Sequence, residues 1–117
     1  MSEQQRRKDL VAEYQRNGPE AGVWRIVDGV TGKALIGTST NLSGTKNRFE
    51  FAQSTNTIGG LDHRLHADAK EHGFAAFRVE VVEVLERRPE ATEDEVRADL
   101  AALEALVREG IDPDLLY

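Results

Sequence analysis

Two short strand-like segments joined by a glycine-containing turn constrain the fold of this chain more than any other feature. The first segment covers residues 22–27 and the second covers residues 34–39. The six residues between them, DGVTGK, hold two glycines that can adopt the positive φ angles of a hairpin turn. The sequence therefore predicts a β-hairpin at residues 22–39.

The segments after the hairpin alternate between helix and strand patterns. Apolar spacing predicts helices over residues 42–53 and 61–72, the second closed by Gly73, with a loop over residues 54–60. Alternation from Phe77 predicts a third strand that continues through Leu85, with a change of phase at Val81-Val82. A capping box that starts at Thr92 opens a final helix that Gly110 ends.

This order predicts an α+β fold in which a three-stranded antiparallel sheet is flanked by helices. A further helix is expected over residues 3–16, where an Asn-Gly-Pro sequence follows it. Residues 1–18 are therefore predicted to be an N-terminal helix extension, and residues 19–117 are predicted to be the main domain.

Composition excludes several classes of protein. The chain has 117 residues, no cysteine and a formal net charge of -6. Without cysteine it cannot form disulfides, thiolate zinc sites or cysteine nucleophiles. No apolar run reaches the roughly 18 residues that cross a bilayer, and the first residues do not resemble a secretory signal. A cytoplasmic protein without a membrane partner is expected.

The hairpin and the residues after it, GVWRIVDGVTGKALIGTSTNLSGTKNRFEF, resemble the GIY-YIG nuclease family. The block LHADAKEHG followed by FRVEV is similar to small stand-alone bacterial members, and the resemblance covers about residues 20–110. It implies a DNA endonuclease fold that uses a divalent metal, Mg²⁺ or Mn²⁺. In such a fold two strand tyrosines, a helix arginine, a metal-binding glutamate and an asparagine form the site.

Most of those reactive residues have no equivalent in this sequence. The tyrosine positions fall on Trp24 and Leu35, and neither side chain can accept a proton. Gly37 keeps the glycine of the second motif, and the arginine position falls on Thr45. Arg48, one helical turn later, can present a guanidinium to much the same space. The asparagine has no counterpart in the last seven residues, IDPDLLY.

The glutamate position is filled, because Glu104 matches the family's metal-binding glutamate on the helix after the third strand. It lies beside the apolar stripe of that helix. A solvated helix glutamate is the alternative. His63 and His66 have a spacing compatible with metal chelation, whereas a polar helix surface that also includes His72 is the other interpretation. One of these histidines could also replace the missing base.

Three functions are compatible with this pattern. In the first, the chain is a GIY-YIG-like domain with impaired or no catalysis that binds DNA, through a basic face that includes Arg25, Lys46, Arg48 and Arg64. In the second, it is an active metal-dependent endonuclease with a site rebuilt from Arg48, Glu104 and either a histidine or Glu50. In the third, which the acidic net charge favours, it is a regulatory domain that binds another protein.

Overall fold

Three antiparallel strands organise the described residues, 20–86 and 89–117, in this computed structural model. The strands are β1 (Gly22–Asp28), β2 (Ala34–Ser39) and β3 (Phe77–Val84), with β1 in the centre of the sheet. The predicted α+β class with a three-stranded antiparallel sheet is confirmed. The predicted N-terminal helix, residues 3–16, and the boundary after residue 18 lie outside the described residues.

The turn of the hairpin uses positive φ at only one of its two glycines. Gly32 has a φ of 78°, and its N–H donates to the carbonyl of Asp28 at 2.8 Å. Gly29 does not adopt a positive φ. Its N–H donates instead to the carbonyl of Ala76 at 2.9 Å, where an added Cβ would also lie 2.9 Å from that oxygen. This glycine therefore allows the turn to approach the segment that leads into β3.

β3 pairs with β1 through a register shift. Val23 is opposite Glu83 and Trp24 is opposite Val81, so Val82 is the extra residue of a β-bulge. The predicted change of phase at Val81-Val82 is confirmed. Val82 packs on the same side of the sheet as Val23, and the bulge places the next residue, Glu83, opposite Val23 as well, so the alternation of side chains reverses after Val82.

Three α-helices surround the sheet. They are α1 (Leu42–Ser54), α2 (His66–His72) and α3 (Glu93–Glu109). Asn41 caps α1, because its Oδ1 accepts from the N–H of Gly44 at 3.0 Å. Thr92 caps α3 as predicted, accepting from the N–H of Glu95 at 3.2 Å. Among the helices of the described residues, none has the length and apolar character needed to cross a bilayer.

The helix predicted over residues 61–72 is shorter than expected. A 3₁₀ turn at His63–Leu65 precedes α2, which begins at His66. The carboxylate of Asp62 accepts from the N–H of Arg64 at 3.0 Å, a local hydrogen bond that competes with the helical pattern. Gly73, with a φ of 88°, closes α2 as predicted.

The two faces of the sheet pack against different helices. Alternation along β1 places Trp24 and Ile26 on one face, here called the Trp24 face, and Val23 and Val27 on the other, the α3 face. The core of the Trp24 face consists of buried residues from the sheet, α1, α2 and the connecting segments: Ile26, Leu35, Phe49, Ala52, Leu61, Leu65, Ala69, Phe74 and Phe77. On the α3 face, Val23, Val27, Ala34 and Ile36 pack against Leu103 and Val107.

The outer edge of β2 is covered by residues near the C-terminus. The backbone N–H of Tyr117 donates to the carbonyl of Ala34 at 3.1 Å. The guanidinium of Arg108 donates to the carbonyl of Ile36 at 3.2 Å. These contacts satisfy edge carbonyls that another chain could otherwise pair with.

Candidate functional site

The two positions that match the family's tyrosines line one cleft on the Trp24 face. Leu35 is buried in the core, and Trp24 is partly buried against it. Across the hairpin, Trp24 pairs with Gly37, where a Cβ would lie 2.2 Å from Cζ2 of the indole. The ring therefore occupies the space that a side chain at this position would need. These two side chains supply packing and no proton acceptor.

Helix α1 covers the Trp24 face and positions the polar groups beside it. The hydroxyl of Thr45 donates to Oγ of Ser39 at 2.8 Å, which ties α1 to the end of β2. Nη2 of Arg48 donates to Oγ1 of Thr45 at 3.4 Å. Phe49 is buried, and its ring centroid lies 5.7 Å from that of Phe74. Phe49 is therefore a packing residue of this face.

Two clefts open on either side of Trp24 and Thr45, which line both. The first cleft has a volume of about 250 Å³ and lies between α1 and β3, with Leu42, Lys46, Val79, Glu80 and Val81 as its other lining residues. The second cleft has a volume of about 220 Å³ and lies between α1 and the hairpin, with Ile26, Leu35, Arg48, Phe49, Leu61 and Asp62 as its other lining residues. Both clefts therefore combine an apolar wall with one cation.

The two acidic residues that line these clefts, Glu80 and Asp62, are paired with arginines, and the carboxylate of Glu80 is turned to the α3 face. Arg25 donates to Glu80 at 2.7 Å through Nε, and Arg78 donates to the other carboxylate oxygen. Hydrogen bonds from Arg78 and then from Arg25 hold the pKa of Glu80 below its usual value. At the second cleft, Arg64 contacts both oxygens of Asp62 at 2.9 Å.

The four predicted nucleic-acid-binding residues therefore differ in whether a carboxylate already neutralises their charge. Arg25 lies on the α3 face and is paired with Glu80, and Arg64 is paired with Asp62. Lys46 is 3.9 Å from Glu50, a long and exposed pair one helical turn away. Within the described residues, Arg48 has no carboxylate at ion-pair distance. Of these four residues, Lys46 and Arg48 of α1 are therefore the ones whose positive charge is available to bind a ligand.

Glu104 lies on the other side of the sheet from Arg48. Its helix, α3, packs on the α3 face, whereas Arg48 projects from α1 over the Trp24 face. Oε1 of Glu104 accepts from Arg108 at 3.3 Å, and the same guanidinium holds the edge carbonyl of Ile36. The structure thus does not bring the predicted catalytic cation and the predicted metal ligand together. Their roles stay predictions.

The predicted histidine pair does not converge on one site. His63 lies in the 3₁₀ turn with a side chain that is 88% exposed. Nε2 of His66 lies 2.9 Å from the carbonyl of Leu61, so this ring is tied to its own connecting segment. His72 belongs to a different cluster, centred on a buried aspartate.

Asp28, at the end of β1, is fully buried and joins three distant parts of the chain. Its Oδ1 accepts from the N–H of Val30 at 2.8 Å, and its Oδ2 lies 2.9 Å from Nδ1 of His72. The hydroxyl of Tyr117 lies 3.3 Å from the same oxygen and donates to Asp68 at 2.6 Å. No buried polar side-chain atom of this cluster lacks a hydrogen-bond partner, and the cluster fastens α2 and the C-terminus to the sheet.

Opposing effects set the protonation of this cluster. Burial raises the pKa of Asp28, but hydrogen bonds from Val30 and His72 outweigh it, and the pKa lies below its usual value. The hydrogen bond to Asp28 raises the pKa of His72. Burial, and then the hydrogen bond to Asp68, raises the pKa of Tyr117. At neutral pH the phenol therefore acts as a donor between two carboxylates.

We expect a pH dependence of stability from the Asp28–His72 pair. Because the pKa of Asp28 is lowered by folding, its contribution is complete above the usual value of 3.8 and is lost as the pH falls through the lowered value. Because the pKa of His72 is raised, its contribution is complete below the usual value of 6.5 and is lost as the pH rises through the raised value.

The free energy of unfolding should therefore be highest between the two usual pKa values, 3.8 for Asp28 and 6.5 for His72, and should decline at lower and at higher pH. Urea unfolding at a series of pH values measures it. In His72→Gln the decline on the alkaline side should disappear. A parallel decline in the variant and the wild type would contradict the role of this pair.

Two places in the described residues offer ligands for the divalent metal that the resemblance implies. Asp28, Asp68 and His72 each offer one ligand atom, and these atoms lie within 4.8 Å of one another, a spacing that suits a metal ion. Mg²⁺ and Mn²⁺ favour oxygen ligands, however, and this oxygen of Asp28 already accepts from His72 and Tyr117. Glu104 belongs to no group of three or more metal-ligating side chains among the described residues, and Arg108 donates to one of its carboxylate oxygens at 3.3 Å. The divalent ion that the resemblance implies therefore fits neither the Asp28 cluster nor Glu104. We assign no catalytic step to such an ion.

The buried cluster was missed in the sequence because its members are far apart. Asp28 and His72 are separated by 44 residues, and Asp28 and Tyr117 by 89 residues. One local signal existed, since an aspartate that ends a strand before Gly-Val can accept from the backbone two residues later. That signal predicts the turn and does not predict the partners.

Comparisons with known proteins bear on the fold. No protein-family model matches the chain, and a search of curated proteins finds no match. A mutant of the catalytic domain of intron endonuclease I-TevI is similar with a TM-score of 0.44 and 13% identity, over 75% of this chain and 88% of that one. The catalytic domain of homing endonuclease I-TevI is similar with a TM-score of 0.43 and 15% identity, over 74% of this chain and 88% of that one. The similarity to these two domains is one of fold alone.

Proposed function

We propose that this chain binds nucleic acid on the Trp24 face and cuts it poorly or not at all. The observation that carries the proposal is the charge balance at the two clefts. Lys46 and Arg48 line the walls of the two clefts, and Arg64 neutralises Asp62 at the second cleft. The carboxylate of Glu80 is turned to the α3 face, where Arg25 neutralises it. A locally positive surface attracts the phosphates of a nucleic acid even when the chain as a whole carries a net negative charge.

Weak cleavage follows from the groups that the Trp24 face lacks. Phosphodiester hydrolysis needs a base for water and a cation or metal for the charge that develops on the phosphate. Trp24 and Leu35 supply no base, and the sheet separates Glu104 from Arg48. Each missing group that acts in the transition state costs about a hundredfold or more in rate, so several losses leave little activity.

Incubation of supercoiled plasmid and of single-stranded DNA with Mg²⁺ or Mn²⁺ tests the catalytic part. We expect the purified wild type and Glu104→Ala to leave the DNA equally intact. Glu104→Ala also controls for contaminating nucleases, because a contaminant would persist in both preparations. Nicking by the wild type that this variant lacks would contradict the proposal and support a rebuilt site at Arg48 and Glu104, with a histidine or Glu50.

Replacing the cleft cations should weaken binding and its salt dependence. In a fluorescence anisotropy titration of labelled DNA over a salt series, Lys46→Ala and Arg48→Ala should each lower the affinity. Each should also reduce the slope of log affinity against log salt by about one, because each removes one phosphate contact.

Arg97→Ala is the matched control, since Arg97 is an exposed arginine of α3, on the far side of the sheet. It should leave both the affinity and the slope as in the wild type. An equal effect of Arg97→Ala and Arg48→Ala would place binding elsewhere. Absence of any binding at low ionic strength would contradict the nucleic-acid role and favour a regulatory domain that binds another protein.

A further inference from the structure

We infer that the nucleic acid bound on the Trp24 face is single-stranded, and that unpaired bases enter the two clefts beside Trp24. This inference rests on the proposed function and specifies its ligand. Trp24 lines both clefts, and the ring lies against Gly37, where no side chain intervenes. An indole held in place by the sheet is a stacking surface that any base can use.

The size and lining of the clefts fit a flat ring better than a whole nucleotide. Their volumes, about 250 and 220 Å³, lie below the range of roughly 300–1,000 Å³ that is usual for complete small ligands. Their walls are mainly apolar, with Leu42, Val79 and Val81 in the first cleft and Ile26, Phe49 and Leu61 in the second. Bases of a duplex are stacked and paired inside it, so only unpaired bases can enter such clefts.

The cations stand where the backbone of such a strand would pass. At about 100° per residue, Lys46 and Arg48 point about 100° to one side of Thr45 and about 60° to the other. Thr45 lies between the clefts, so each cleft has one cation at its α1 side. Consecutive bases in the two clefts would place their phosphates along α1, within reach of both cations.

The test uses the fact that Trp24 is the single tryptophan of the chain. Its intrinsic fluorescence therefore reports directly on this position. The wild-type protein is titrated with a labelled single strand of DNA, the matching RNA, the matching duplex, and an abasic strand with the same number of phosphates. Anisotropy of the label measures binding, and tryptophan emission measures contact with a base.

We expect the single strands of DNA, RNA or both to bind and to quench Trp24, with the duplex bound more weakly. The abasic strand should bind about tenfold more weakly than the normal strand and should not quench, because it keeps the phosphates and loses stacking. In Trp24→Leu the preference for the normal strand over the abasic strand should disappear.

Two results separate this inference from the proposed function. The normal and abasic strands could bind equally well, or the duplex could bind more tightly, in both cases without quenching of Trp24. Either result would overturn base insertion and leave nucleic-acid binding intact. Absence of binding to every probe at low ionic strength would overturn both. The wild-type fluorescence decides the first result without any variant, so it does not depend on the folding of Trp24→Leu.

Discussion

Replacing Asp28 with alanine should lower the free energy of unfolding by about 3 kcal/mol, the scale seen when one partner of a buried charged pair is removed. The substitution leaves two donors, the N–H of Val30 and the ring of His72, without their acceptor, while the hydroxyl of Tyr117 keeps its hydrogen bond to Asp68. Because Asp28 is fully buried, water cannot replace it freely. Urea unfolding followed by circular dichroism measures the change.

Glu86→Gln serves as the control, since Glu86 is an exposed acidic residue beyond the end of β3. This variant should stay within about 0.5 kcal/mol of the wild type. Asp28→Asn adds a second comparison, because it keeps the shape and removes the charge, and it should fall between the other two. An Asp28→Ala protein as stable as Glu86→Gln would mean that the cluster does not fasten the C-terminus to the sheet.

Gly22→Ala should destabilise the fold by up to about 3 kcal/mol, the upper part of the usual range for overpacking. A Cβ at this position would lie 2.1 Å from the carbonyl oxygen of Glu83 and 3.0 Å from the Cα of Val84. Both are backbone atoms of the paired strand. The clash can be relieved only by moving β1 away from β3, which weakens hydrogen bonds at the end of the sheet.

Gly59→Ala is the matched substitution, because a Cβ at Gly59 would meet nothing within 4 Å. It should leave the unfolding midpoint nearly unchanged, and both variants are measured by the same urea titration. Equal midpoints for Gly22→Ala and Gly59→Ala would show that the strands separate without cost. The approach of the strands at Gly22 would then be looser than the structure has it.

The glycines of the two nuclease-like motifs thus have a packing explanation that is independent of catalysis. Gly22 allows β3 to approach β1, and Gly37 makes room for the indole of Trp24. The spacing that resembles the nuclease motifs is thus accounted for by the geometry of the hairpin. A spacing of glycines in such a hairpin predicts a fold more firmly than it predicts an activity.

Local patterns in the sequence determined the elements of this protein. β2 begins and ends as predicted, because alternation and a turn with Gly32 mark it on both sides. α3 begins after Thr92 and ends before Gly110, because the cap and the apolar stripe lie within the helix itself. The shorter α2 is the exception. The side chain of Asp62 caps a 3₁₀ turn at His63–Leu65, and α2 begins only after this turn.

Only the tertiary structure decided which of these residues meet. The apolar stripe of α3 does not say which face of the sheet it covers, and that choice separates Glu104 from Arg48. Neither does a local pattern join Asp28 to His72 and Tyr117, across 44 and 89 residues. Hydrogen-bonding periodicity and turn chemistry act between near neighbours in the chain, so they appear in the sequence. The pairing of buried charges and the charge of the clefts depend on how whole elements pack, and therefore appear only in the folded chain.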